Sequence, residues 1–345
     1  MSDRIRIEKV KLTRRDALRL AGAAGLMAAL PRGGTAVAAP APPGLKGPQA
    51  GGYYRFAIGG IEAMVISDGG LSFQPIQPTW APEAGKEELE GMLRASFLPA
   101  DRLNLDVNTL MLKTGGELVL VDSGAGGLFG PSLGKMRERM EAAGVRPEQV
   151  TAVVLTHAHG DHFGGLLDGA GKPVYQNATY FASKTEIDYW TGPDPDFSKL
   201  RIPRERAEVF LANARKYLAA IKDKLTPVVP GQKILEGIEV VDAPGHTPGH
   251  IALLVTSGND ALLNAADTAH HHIITFAHPE WTSAFDVDPQ LGAKSRRRIL
   301  DRAAADKVRY LGYHLPFPGI GHVRATKEGA FEWVPEPWSW TMTGS

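Results

Sequence analysis

One stretch constrains this chain more than any other: Leu155-Thr156-His157-Ala158-His159-Gly160-Asp161-His162-Phe163-Gly164-Gly165. It follows Ala152-Val153-Val154-Leu155, a short β-branched apolar run of the kind that forms a buried strand. His157 and His159 are two residues apart, so in extended backbone they project to the same side. Asp161 and His162 stand where the chain folds back. Four ligand-type side chains within six residues can then converge on one small volume, which suits a pair of metal ions better than one. Gly164-Gly165 permits close backbone approach as the next helix begins. Any one of these histidines alone would read as part of a polar surface turn. The whole HxHxDH spacing behind a buried strand does not.

The remaining bounds are broader. Hydrophobic residues make up 43% of the 345 and charged ones 22%, a globular balance with ample length for a sizeable core. Cysteine is absent, which excludes disulfides, thiolate metal sites and cysteine nucleophiles. The net charge of zero hides a split: residues 1–39 carry eight Lys/Arg against three Asp/Glu, leaving thirty against thirty-five beyond. That mildly acidic remainder gives no support for nucleic-acid binding.

The basic excess centres on Thr13-Arg14-Arg15-Asp16-Ala17-Leu18-Arg19, followed by an apolar stretch over 17–30, Pro31, Gly33-Gly34 and the small-residue site Ala36-Val37-Ala38. This is the layout of a twin-arginine export signal over residues 1–38, cleaved near Ala38, and it predicts a periplasmic or secreted protein. Ala17 departs from the usual Phe, and a basic N-terminal arm is the competing reading. The stretch is short and broken by Arg19, so no retained membrane span is expected. Residues 39–52, rich in Pro, Gly and Ala, read as a linker, and 53–345 as one domain.

From Tyr53 the pattern turns to strands, over 53–58, 61–67, 108–113 and 117–121, with Gly59-Gly60 and Gly115-Gly116 as hairpin turns. Helices are predicted over 86–95, 131–143, from 184 to 190 and over 205–222, and further strands over 178–182, 238–242, 250–256 and 261–264. Strands, helices, then strands and helices again predict two β-halves packed face to face and covered by helices. Asp122, in Val121-Asp122-Ser123-Gly124, reads either as a turn residue or as a carboxylate that orients a ligand histidine. Three more polar residues follow predicted strands in order: His246 in Gly245-His246-Thr247-Pro248-Gly249-His250, Asp267 after an apolar run, and His314 after Tyr310-Leu311-Gly312-Tyr313.

Taken together, HAHGDH, GHTPGH, an Asp after an apolar strand and a final His resemble the metallo-β-lactamase superfamily. The resemblance implies an α/β fold, the four-layer αββα sandwich. It implies that His157, His159 and His246 hold one metal, that Asp161, His162 and His314 hold a second, and that Asp267 bridges them. Flanking segments, Gly52-Tyr53-Tyr54-Arg55, Ser67-Asp68-Gly69 and Phe317-Pro318-Gly319-Ile320-Gly321-His322, are similar to methyl parathion hydrolase and its exported relatives, over roughly residues 51–335. By that likeness Phe129 and Trp190 line the substrate pocket. One departure is Thr268-Ala269-His270-His271-His272, where an aliphatic wall is usual; His270 in the pocket would change substrate preference, and incidental imidazoles on a partly exposed strand are the plainer reading.

The ligand set is all nitrogen and oxygen, so the expected cofactors are two divalent ions, zinc first, with Mn, Co or Fe compatible. The expected chemistry is hydrolysis with a metal-held hydroxide as nucleophile, Asp161 and Asp267 being the catalytic carboxylates. The expected substrates are neutral esters, organophosphate triesters or aryl esters, because the pocket aromatics offer stacking surface rather than charge. An acyl-homoserine lactone hydrolase is the nearest rival. Glyoxalase II is disfavoured because only 31 residues follow His314, and a nuclease by the acidic chain. A catalytically inert periplasmic metal-binding protein is the non-enzyme alternative. A homodimer is expected by analogy.

Overall fold

The computed structural model describes residues 51–339. The expected export signal over 1–38, and all but the last two residues of the 39–52 linker, lie outside them.

Fourteen strands form two seven-stranded sheets among the described residues. The first contains β1 (Tyr53–Ile58), β2 (Ile61–Phe73), β3 (Leu103–Thr114), β4 (Glu117–Val121), β5 (Ala152–Leu155), β6 (Thr179–Ser183) and β7 (Leu225–Val228), in chain order. The second contains β8 (Lys233–Leu235), β9 (Ile238–Asp242), β10 (Ile251–Ser257), β11 (Asp260–Ala266), β12 (Arg309–Gly312), β13 (Ile320–Ala325) and β14 (Phe331–Pro335), again in chain order. Antiparallel neighbours such as β3 and β4 are joined by a short hairpin, where Gly115 and Gly116 both take positive φ as a tight two-residue turn requires, whereas the parallel pairs β4–β5, β5–β6, β6–β7 and β11–β12 are joined by longer crossovers that carry the helices.

Alternation along the strands sorts the side chains into layers. Val65, Leu110, Leu112, Val119, Val121 and Val154 of the first sheet meet Val240, Leu253, Val255, Leu262 and Leu311 of the second in one buried cluster. Their neighbours in register, Ile66, Met111, Leu120, Val153 and Leu155, face the other way, against Met136, Met140, Tyr217 and Leu218. Those residues come from α2 (Met136–Ala142) and α5 (Arg204–Ile221), numbered after α1 (Lys86–Ala95), α3 (Gly160–Phe163) and α4 (Lys184–Thr191). The outer face of the second sheet is covered by Ile299, Leu300 and Ala303 of α7 (Pro289–Asp306), which follows the short α6 (Ile274–Ala277). The layers are therefore helix, sheet, sheet, helix. No helix among the described residues is long and apolar enough to cross a membrane.

The expected helix over 131–143 is only Met136–Ala142. Gly130 and Gly134 take positive φ, and the buried Asp68 carboxylate accepts from the backbone N–H of Ala125, Gly134 and Met136, each at 2.8–2.9 Å. Asp68 thereby holds the preceding residues as a loop and caps the helix at Met136. The strands β7, β8, β13 and β14 and the helix Pro289–Asp306 have no counterpart in the sequence reading; that helix is strongly polar on its outer face, which hides its buried stripe.

Candidate active site

Strand direction brings the polar residues together. β4 runs parallel to β5. In the second sheet β9 and β11 are both antiparallel to β10, and β12 is parallel to β11, so these three share one direction. Asp122 follows β4, His157 and His159 follow β5, His246 follows β9, Asp267 follows β11 and His314 follows β12. All stand at strand carboxyl ends, and the two sheets present those ends to each other. Within the first sheet the loops after β4 and β5 come close enough to require glycine: a Cβ on Gly164 or Gly165 would lie 2.1 Å from the Ala125 carbonyl oxygen or 2.0 Å from that of Ser123.

The structure brings all seven predicted ligand residues to one point. Asp267 is central: its Oδ2 lies 3.3 Å from His246 Nε2 and 3.1 Å from His314 Nε2, and its Oδ1 lies 3.1 Å from His162 Nε2. Asp161 Oδ2 is 3.4 Å from His314 Nε2, and His159 Nδ1 is 2.9 Å from His246 Nε2. His157, His159 and His246 form one buried triad of ligand atoms, and the part-buried Asp161 with the buried His162 and His314 forms another.

Several of these atoms are orphans. His157 Nε2, His162 Nε2 and Asp267 Oδ1 are buried without a hydrogen-bond partner. His162 Nε2 and Asp267 Oδ1 are near each other yet not aligned to bond. Unpaired buried polar atoms cost about 1–3 kcal/mol each, so their convergence at one point calls for a cation. Donors about 2.0–2.2 Å from such an ion stand roughly 3–3.5 Å from one another, as these do. The residues fit divalent ions. The field points the same way: burial disfavours charged imidazole throughout, but Asp267, Asp122 and Asp161 hold His162 well above its ordinary value, and Asp267 and Asp286 push His246 up to about 9. Burial would raise Asp267, yet His314 and His162 hold it well below the usual carboxylate range.

Around this cluster a second ring of groups fixes the rings. Asp122 accepts from His162 Nδ1 at 2.9 Å, from Thr156 N at 2.9 Å and from Thr156 Oγ1 at 2.7 Å. Its φ of 59° is unusual for a residue with a Cβ, and these bonds retain it. Asp286 accepts from His246 Nδ1 at 2.8 Å, and His314 Nδ1 donates to the Asp106 carbonyl at 2.8 Å. His250 is no ligand: its Nδ1–H donates to the Ala243 carbonyl and its Nε2 accepts the Asp267 N–H, which sets the bridging carboxylate's backbone. Glu186 braces both histidine loops, accepting from Ala158 N and Trp190 Nε1 on one oxygen and from Thr247 Oγ1 and Gly249 N on the other.

Asp286, His250 and Glu186 escaped sequence reading. Ser183 and Glu186 have capping-box spacing, which points Glu186 to a helix end. Instead Ser183 makes no side-chain cap and Glu186 turns into the interior. Asp286 sits in a loop with no local pattern.

A cavity of about 90 Å³ opens onto the cluster. Phe129 and His270 are on its wall. His270 is buried with both ring nitrogens unpartnered, and its Nε2 lies 3.4 Å from Asp267 Oδ2. Trp190 requires correction: it is 0% exposed and off the cavity wall, because its indole N–H bonds to Glu186 while the ring packs behind His159. Trp80, Phe210 and Phe285 supply the aromatic wall instead.

Residues 103–314 match the family model of the metallo-β-lactamase superfamily. Among solved structures, the chain is similar to AidC, a dizinc quorum-quenching lactonase in complex with a homoserine product, at 31% identity and a TM-score of 0.80, covering 84% of this chain and 98% of that one. It is similar to the hydrolase AbOPH at 27% identity and a TM-score of 0.77, covering 84% and 99%. An N-acyl homoserine lactonase of Bacillus cereus is 26% identical over 225 residues, 59% of this chain and 80% of the relative. With its four layers and the histidine and aspartate cluster at the sheet edge, this chain belongs to the metallo-β-lactamase superfamily and is a hydrolase of that fold.

Proposed function

We propose that the protein is a two-metal hydrolase of carboxylic esters, with lactones foremost, and that His157, His159 and His246 hold one ion, Asp161, His162 and His314 the other, and Asp267 both. The single observation that carries this is the convergence of seven donor residues, six of them buried and three of their atoms orphaned, at the floor of a largely apolar cavity. The likeness to lactonases supports cyclic esters over phosphotriesters. When bound, two divalent ions supply Lewis acidity and lower the pKa of water.

The chain's own residues do the rest. Apolar and aromatic side chains around the opening exclude water and seat the ester's hydrocarbon. His270, free at both nitrogens, donates to the ester oxygen. Asp161, the least buried of the carboxylates in the cluster, stands at the cavity and takes a proton to pass to the leaving oxygen. Overall, water adds across the acyl C–O bond: its oxygen joins the acyl carbon and a proton goes to the alkoxide. In a lactone both ends stay on one molecule.

The test pairs metal content per chain with turnover of N-hexanoyl-homoserine lactone, p-nitrophenyl hexanoate and methyl parathion. Two metals with lactone or carboxylic ester preferred is the expected result. Phosphotriester turnover well above the others would move the substrate to organophosphates, and a chain without metal would overturn the reading.

A further inference from the structure

The cavity wall holds one charged side chain outside the metal-facing cluster, and its neighbours show it to be unusual. Lys199, Arg201 and Arg204 lie in the same stretch of chain, and each is paired: with Asp288 at 2.5 Å, Glu83 at 3.0 Å and Glu208 at 3.1 Å. Arg206, on the first turn of α5, is not; no carboxylate oxygen stands within 4.0 Å of it among the described residues. It lies over aromatic rings instead, its guanidinium carbon 5.1 Å from the centroid of Phe285 and 5.7 Å from that of Phe210. Those two rings are near-parallel at 26°, 6.4 Å apart, and both line the cavity. The exposed Arg206 also lines the adjoining trough beside Leu128, Glu205, Val209 and Asn213, so it stands where the two openings meet, and the Glu205 carboxylate makes no ion pair with it.

Contact with the aromatic faces holds the guanidinium beside them while leaving its N–H groups unused. A fork of donors without a counter-ion, on the aromatic part of the cavity wall, matches a carboxylate or another oxyanion. We propose that Arg206 is a specificity residue that recognises an anionic group, a carboxylate by preference, at the end of the substrate remote from the scissile ester. The native substrate is then an ester or lactone neutral at the reacting bond and anionic at its far end. This rests on the hydrolase reading above and narrows it.

The test uses the metal-loaded enzyme and two aryl esters of equal length, p-nitrophenyl hexanoate and the mono-p-nitrophenyl ester of adipic acid, which differ by a terminal methyl against a carboxylate. The parent is expected to show a KM lower for the adipate ester by about tenfold, a preference that shrinks as ionic strength rises. Arg206→Met keeps the apolar stem on Phe210 and Phe285 and removes the charge; it is expected to abolish the preference by raising KM for the adipate ester alone, with kcat for both esters within about twofold. Arg206→Lys restores part of it. Equal KM values in the parent, or an equal change for both esters in Arg206→Met, would overturn the proposal while leaving the hydrolase reading intact. Failure to release p-nitrophenolate from the hexanoate ester as well would instead overturn the ester reading, and this proposal with it.

Discussion

Glu186 offers the sharpest test of how the histidine loops are held. Its Oε1 accepts from Ala158 N at 2.8 Å and Trp190 Nε1 at 2.7 Å, and its Oε2 from Thr247 Oγ1 at 2.7 Å and Gly249 N at 2.9 Å. Ala158 lies between His157 and His159, and Thr247 follows His246, so one carboxylate ties together two ligand loops that are 87 residues apart in sequence. In Glu186→Gln one oxygen becomes an N–H₂ group. The cheaper orientation puts it at the Oε2 position, where the Thr247 hydroxyl can turn to accept and only the Gly249 N–H is stranded, at about 1–3 kcal/mol. A melting temperature lower by roughly 2–5 °C follows for a domain of this size. Glu186→Ala strands three N–H groups and costs about 3–9 kcal/mol, enough to unfold the protein. In the Gln variant, apparent metal affinity by chelator competition is expected to fall about tenfold or more, because the ligand loops lose their common brace. A Glu186→Gln protein with the parent's melting temperature and metal affinity would refute the reasoning.

Four further outcomes are expected. Asp267→Ala loses metal and activity together; two retained metals with full turnover would exclude Asp267 as the shared ligand. Asp286→Ala frees His246 Nδ1, and weakens metal binding by about 10–100-fold in a titration, while far-ultraviolet circular dichroism stays unchanged. Chelation lowers thermal stability, by about 2.7 kcal/mol for an ion previously present at a hundred times its Kd, and re-addition of metal restores it. Export by the twin-arginine route is our proposal for residues 1–38; Arg14→Lys with Arg15→Lys is expected to leave the uncleaved chain in the cytoplasm, as fractionation and mass spectrometry would show.

Local pattern carried far where the chemistry is local. The run from Ala152 to Gly165 encodes strand, turn and close approach within fourteen residues, and β1, β4, β5 and β9 have the bounds that their apolar runs predict. The α2 region failed because its start is decided by Asp68, a residue 68 positions away. Trp190 was assigned to the pocket from likeness alone; the buried Glu186 carboxylate drew its indole inward.

By itself, then, the sequence determined the class of layers and the His and Asp cluster after β5, because strand alternation and the HxHxDH spacing are properties of neighbouring residues; His246, Asp267 and His314 join that cluster in the sequence only through the family resemblance. Only the tertiary structure decided which carboxylates hold those histidines in place, which aromatics line the cavity, and that an unpaired Arg206 stands on its wall. Those facts depend on contacts between segments from 40 to more than 200 residues apart, such as His246 with Asp286, Glu186 with Gly249 or Trp80 with Phe285, and no periodicity in the chain records them.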